Sequence, residues 1–122
     1  MANYSNLANQ IDSSVECFAF DSIASTNDYL SALVFSDTTQ ICIASEQTQG
    51  KGQYDRAWLS QKDASILLSI RYVFRADLSL NGLSLVIGLA IASALEELGI
   101  KQIKLKWPND IFFDNKKLAG IL

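Results

Sequence analysis

The chain has 122 residues, 49% of them apolar, and a formal net charge of −3. That length favours one domain and that apolar content can build a core, while the acidic balance argues against DNA or RNA as a partner, since nucleic-acid binders carry basic surfaces. There is no histidine, which excludes Ser-His-Asp and Cys-His catalysis and histidine-ligated zinc.

Residues 1–13 are polar and read as a short helix or a loose arm, without the hydrophobic core of a signal peptide. Val15 to Phe20 alternates weakly and reads as a strand. Asp21 to Thr26 is a turn, after which Ser25 or Thr26 can cap a helix running to about Phe35. Ser36 to Thr39 is a loop, and Gln40 to Ala44 a short β-rich strand. Cys17 and Cys42 sit in these apolar runs and read as buried free thiols in a reducing compartment, with a disulfide or metal pair as the lesser reading.

The glycine segment from Ser45 to Trp58, SEQTQGKGQYDRAW, is a loop. Trp58 to Ser60 begins a further strand. Ile66 to Phe74 is a strand with Leu68, Ile70, Tyr72 and Phe74 on one face and Leu67, Ser69 and Arg71 on the other. Leu83 to Leu98 has helical spacing, Gly99 suits its C-terminal cap, and apolar residues on nearly every side predict deep burial. Gly88 inside it allows close packing. Lys101 to Trp107 is a strand, and Ile111–Phe113, Asp114–Asn115 and Lys116–Leu122 form a hairpin. Helices and strands are mixed rather than strictly alternating, so the expected class is α+β, with a mixed or antiparallel sheet and helices on one face. No apolar run reaches the ~18 residues of a membrane span, and a cytoplasmic location is expected. Leu118 to Leu122 is an apolar strand at the chain end, which predicts an uncovered sheet edge and a homodimer through it.

Four motifs bear chemistry. Gly50 and Gly52 permit positive φ and close backbone approach, and Lys51 and Arg56 add charge, so the segment can form an anion nest. It matches neither the phosphate-loop nor the dinucleotide-binding glycine pattern, and on pattern alone it reads equally as a β-hairpin turn with solvated charges. Asn109 and Asp110, after Pro108, suit a sugar or a metal-bound phosphate, or an Asx-turn of their own. Of Lys116 and Lys117, adjacent on a strand, one is solvated while the other points to the working face. Ser25, Thr26 and Asn27 suit a helix N-cap, whose spare N–H groups also suit a carboxylate or urea oxygen.

In this order and spacing, STN, QTQGKGQxxRxW, LSLVIGLAIASALEELG and KWPNDIFFDNKKLAGIL closely resemble the biotin protein ligase family, from about residue 15 onward. The resemblance implies a synthetase-like catalytic domain over residues 1–122. Its reaction joins biotin to ATP as biotinyl-5'-adenylate, with magnesium, and passes biotin to a lysine of a biotin carboxyl carrier domain. Position by position, Ser25, Thr26 and Asn27 match the biotin-binding triplet, and Gln47 the glutamine at the ureido ring. Gly50, Lys51, Gly52 and Gln53 match the loop over biotin and the adenylate. Arg56 belongs to the same charged loop, and Trp58 matches a tryptophan near the adenine. Asn109 and Asp110 fall in the nucleotide and metal region, Asp110 being the candidate magnesium ligand. Lys117 matches the lysine at the reacting carboxylate and α-phosphate, which makes Lys117 and Lys51 the candidate catalytic residues.

The family loop is commonly GRGRxGR, and here it is GKGQYDR. Lys51 keeps a charge without the guanidinium fork, Gln53 loses a charge, and Asp55 replaces a glycine beside Arg56. Too few residues precede the first strand for the helix-turn-helix domain of some members, so a ligase without a repressor role is expected. The family's later sheet strands and SH3-like C-terminal domain lie beyond the motifs present, and a chain cut short of them is expected. Two other readings stay open: a non-catalytic biotin-binding fragment, and a lipoate ligase of the same superfamily.

Overall fold

The computed structural model describes Tyr4 and residues 6–122, without the side chain of Ala8. The expected N-terminal helix or arm falls partly outside these residues. Its described part is a single 3-10 turn, Leu7–Asn9. The chain divides into two compact units, residues 1–76 and 77–122.

In the first unit β1 (Val15–Phe20) runs parallel to β2 (Thr39–Ala44), and β2 pairs antiparallel with β3 (Leu67–Arg71), in the order β1-β2-β3. Parallel neighbours need a crossover, and α1 (Thr26–Ala32) supplies it. The register aligns Phe18, Cys42 and Ser69 in one row and Phe20, Ala44 and Leu67 in the next. α1 packs on this face. Its Tyr29 ring meets Phe18 and Phe20 edge-on, at 5.3 and 4.9 Å between centroids. Leu30, Cys42, Ala44 and Leu67 are buried there.

The helix stops at Ala32 rather than near Phe35, because Leu33 turns extended (φ −69°, ψ 149°). Val34 and Phe35 are weak helix formers and stand exposed. Arg71 Nη1 donates to the Leu30 carbonyl, which also accepts the Leu33 N–H, and to the Leu33 carbonyl, at 2.9 and 3.1 Å. The alternation expected in β3 is present, but the face with more apolar residues is the exposed one: Leu68, Ile70 and Tyr72 stand open while Leu67 is buried. No strand forms over Trp58–Ser60, since Trp58 N–H is drawn back to Gly50 O at 2.8 Å.

In the second unit α2 (Leu83–Glu97) is followed by an antiparallel meander of β4 (Lys104–Lys106), β5 (Asp110–Phe113) and β6 (Lys116–Gly120). α2 ends as expected. Gly99, at φ +90°, donates to Glu96 O at 2.9 Å and Ile100 N–H to Leu95 O at 3.0 Å, the paired bonds of a Schellman cap. The expected deep burial is not found. Gly88 alone among the helix residues is buried, and Val86 and Leu89 are exposed. Only the flank bearing Gly88 meets Leu105 and Ile121, so an all-round apolar helix is covered on one side. β4 is shorter than expected because Gln102, at φ +65°, breaks the extended run before it. The Asp114–Asn115 hairpin is present, both residues left-handed at φ 48° and 58°, as a tight two-residue turn requires.

The α+β class is observed, with the strands in two three-stranded sheets. No helix among the described residues is long and apolar enough to cross a membrane.

Candidate ligand-binding site

The first unit gathers the serine-threonine-asparagine triplet, Gln47 and the glycine segment around the start of α1. Ser25 is the N-cap, in extended conformation with Oγ accepting Asp28 N–H at 3.2 Å. Thr26 is buried, and its backbone N–H and Oγ1 both donate to Gln47 Oε1, at 2.8 and 2.9 Å. Thr26 Oγ1 also lies 2.8 Å from Ser69 Oγ. The threonine hydroxyl has one proton, already given to Gln47, so Ser69 is the donor to Thr26. The run Ser69→Thr26→Gln47 saturates the Gln47 carbonyl and fixes the orientation of its amide. Nε2 is left as the group Gln47 offers, and chained hydrogen bonds of this kind strengthen one another. Asn27 is exposed beside it.

The glycine segment is a hairpin. Ile23 bridges to Gln47, and Thr48 and Gln49 N–H groups bind Ile23 and Ala24 carbonyls, which ties the start of the segment to the turn before α1. Lys51 bridges to Ala57, and Gly52 N–H donates to Arg56 O at 2.7 Å. Gly50 is buried, and a Cβ there would lie 2.6 Å from Trp58 O and 3.0 Å from Gln47 Nε2. The expected positive φ is not at the glycines. Gly52 sits at φ −111°, and the left-handed positions are Tyr54 and Asp55, at φ 57° and 56°. The turn tip spans Gln53–Asp55. With its N–H taken by Arg56, Gly52 does not join an anion nest here; the glycines allow close backbone approach instead. Asp55 stands where the family loop has glycine, and aspartate tolerates that conformation better than most residues.

Lys51 Nζ pairs with Asp28 Oδ2 at 2.8 Å. The hydrogen bond and charge of Asp28, with a smaller contribution from Asp55, push the lysine above its ordinary pKa. The Arg56 guanidinium lies over the Tyr54 ring, 5.9 Å from its centroid. Trp58 is half-buried.

The second unit holds the remaining candidates. Lys117 Nζ lies 2.8 Å from Asp110 Oδ1, a contact of charge rather than an aligned hydrogen bond. Lys116 is exposed at the hairpin end. Asn109 is bound to Ile121 twice, through Nδ2 to its carbonyl at 2.8 Å and through its own carbonyl to the Ile121 N–H at 2.9 Å. Ser84 Oγ donates to Pro108 O at 3.0 Å and steadies the same turn.

Two participants escaped the sequence reading. Ser69 shows only as the lone hydroxyl in an apolar strand, and Asp28 only as an acidic residue in a helix's first turn. Neither signal names a partner.

Within the first unit, the Thr26–Gln47 pair and a lysine carried on the glycine hairpin stand together at the start of α1, a set of groups suited to a small polar ligand. Residues 19–122 match the Biotin/lipoate A/B protein ligase family, and the chain belongs to it. It is 39% identical over 102 residues to the bifunctional ligase/repressor BirA of Escherichia coli K12, covering 82% of this chain and 32% of that protein. It is 38% identical over 87 residues to the biotin–[acetyl-CoA-carboxylase] ligase of Mycobacterium tuberculosis, covering 67% and 33%. Among solved structures, the biotin protein ligase of Aquifex aeolicus in complex with biotin and ATP aligns with a TM-score of 0.73 at 33% identity, covering 88% of this chain and 45% of that one. The enzyme of Leishmania major in complex with biotinyl-5-AMP aligns at 0.75 and 26% identity, covering 88% and 51%. The chain thus spans about a third of the length of the curated relatives it matches.

Proposed function

We propose that the chain binds biotin and ATP and forms biotinyl-5'-adenylate, passing biotin on to a lysine of a biotin carboxyl carrier domain in the cytoplasm. The observation that carries this is the Thr26–Gln47 clamp. It presents one oriented amide donor, Gln47 Nε2, toward a ureido ring, at the start of a helix and beneath the hairpin that holds Lys51. Support comes from family membership and from relatives solved with biotin and ATP.

In this reading Ser25, Thr26, Asn27 and Gln47 hold the ring, while Gly50, Lys51, Gly52 and Gln53 cover it. Arg56, Trp58 and Asn109 serve the nucleotide, and Lys51 and Lys117 the reacting anions. A carboxylate is already a sufficient nucleophile toward an α-phosphate, so a chain without histidine can do this chemistry by positioning and charge stabilisation. The carboxylate oxygen bonds to phosphorus and pyrophosphate leaves. The carrier amine then attacks the carbonyl carbon and AMP leaves.

Asp110 is the residue that would hold magnesium, as one carboxylate beside ATP. The described residues contain no cluster of three metal-ligating side chains, and Asp110 already faces the Lys117 ammonium. Magnesium bound to ATP takes most of its ligands from phosphates and water.

The test is biotin-dependent exchange of pyrophosphate into ATP, run beside lipoate. Exchange with biotin alone is expected. Exchange with lipoate in its place would favour the lipoate ligase, and biotin binding without exchange would favour a binding module.

A further inference from the structure

We propose that Asp28 is a positioning residue that competes with the ligand's anionic group for Lys51, and so weakens the site's hold on anions while leaving neutral ligands unaffected. The inference rests on the reading of Lys51 as a ligand-binding cation given above.

The pair joins two separately anchored elements. Asp28 sits in the first turn of α1 with its N–H on Ser25 Oγ. Lys51 lies between the two hydrogen bonds that close the hairpin, Trp58 N–H to Gly50 O and Gly52 N–H to Arg56 O. Neither backbone has to move for the pair to part; rotation of the two side chains suffices. Both side chains are about half exposed, at 46% and 48%, so solvent screens the pair and a ligand can displace it.

Charge bookkeeping around the lysine sets the direction of the effect. An ammonium has three donors and no acceptor, and one of its donor directions is spent on Asp28 at 2.8 Å. Asp55 adds a second negative charge acting on the same lysine. An incoming carboxylate or phosphate therefore meets a cation already matched by negative charge, and either breaks the pair or shares the ammonium with Asp28 at a cost in repulsion. A ligand without an anion has no such competitor. Asp28 thus discriminates by charge and not by shape, which a residue that only orders the hairpin would not do.

Calorimetric titration of the chain with biotin and with its neutral alcohol, biotinol, tests this. Asp28→Asn is expected to tighten biotin about two- to five-fold, the range of exposed ion pairs, and to leave biotinol unchanged. On a Lys51→Met background the same substitution is expected to give no gain. Equal effects on both ligands, or no tightening of biotin, would overturn the competition while leaving the site reading intact. Failure of the unsubstituted chain to bind either compound would overturn the site reading, and the inference with it.

Discussion

Compared with Gly52, Gly50 has less room for a side chain. A methyl group there would meet the Trp58 carbonyl at 2.6 Å, and that neighbour is backbone. Gly50→Ala must therefore push the two hairpin arms apart and disturb Gln47 Nε2, at a cost of about 1–3 kcal/mol. A lowered melting temperature with biotin affinity reduced at least severalfold is expected, and a variant that binds biotin normally would contradict this packing. Gln53 lies at the tip of the same hairpin, where the family pattern has arginine. Gln53→Arg restores a charge-assisted donor and is expected to slow release of preformed biotinyl adenylate on the order of tenfold. Release kinetics decide it, and an unchanged rate would remove Gln53 from adenylate retention.

At the scale of elements, α2 and β2 each make a prediction. Gly88 packs against Leu105 and Ile121, yet an added Cβ would sit at 3.4 Å or more from both. The close packing expected at Gly88 is present, and at ordinary contact distance the space still admits a methyl group. Gly88→Ala is expected to stabilise the chain by about 0.5–1 kcal/mol through helix propensity, read from urea unfolding. On β2, Cys42 is fully buried. Burial first, and the nearby Cys17 second, push its thiol from about 9 up to about 11. The fold thus disfavours the thiolate. The stability involved is fully present below the unfolded value and is lost as pH rises from about 9 through about 11. Melting temperatures should fall over that window, and Cys42→Ala should flatten the fall; an equally steep fall in the variant would assign the alkaline loss elsewhere.

The molecule as a whole leaves much apolar surface open. In the first unit Ile70 is 60% and Tyr72 57% exposed on the β3 face away from α1; in the second, Val86 is 62% and Leu89 61% exposed on α2. Exposed apolar side chains of this kind favour association, and among the described strands β3 and β6 lie at sheet edges. Copies of the chain are expected to associate in a concentration-dependent way in sedimentation velocity runs. A monomer mass constant with concentration would refute the homodimer.

Much of this was legible in the residues taken in order. Local spacing and turn chemistry identify β1, the length and glycine cap of α2, and the Asp114–Asn115 hairpin, since these depend on neighbours within a few positions. The motif set identified the family for the same reason, because its residues recur at set positions along the chain. The contacts that make a site were decided by tertiary structure. Alternation in β3 shows two faces but not which one α1 covers, so Ser69 passed as a bystander until the sheet register brought it to Thr26. Nothing near Lys51 in sequence points to Asp28, and nothing in an apolar helix shows that only its Gly88 flank is covered. Such facts depend on pairing between distant segments, which follows from packing free energy summed over the folded unit and is written in no local pattern.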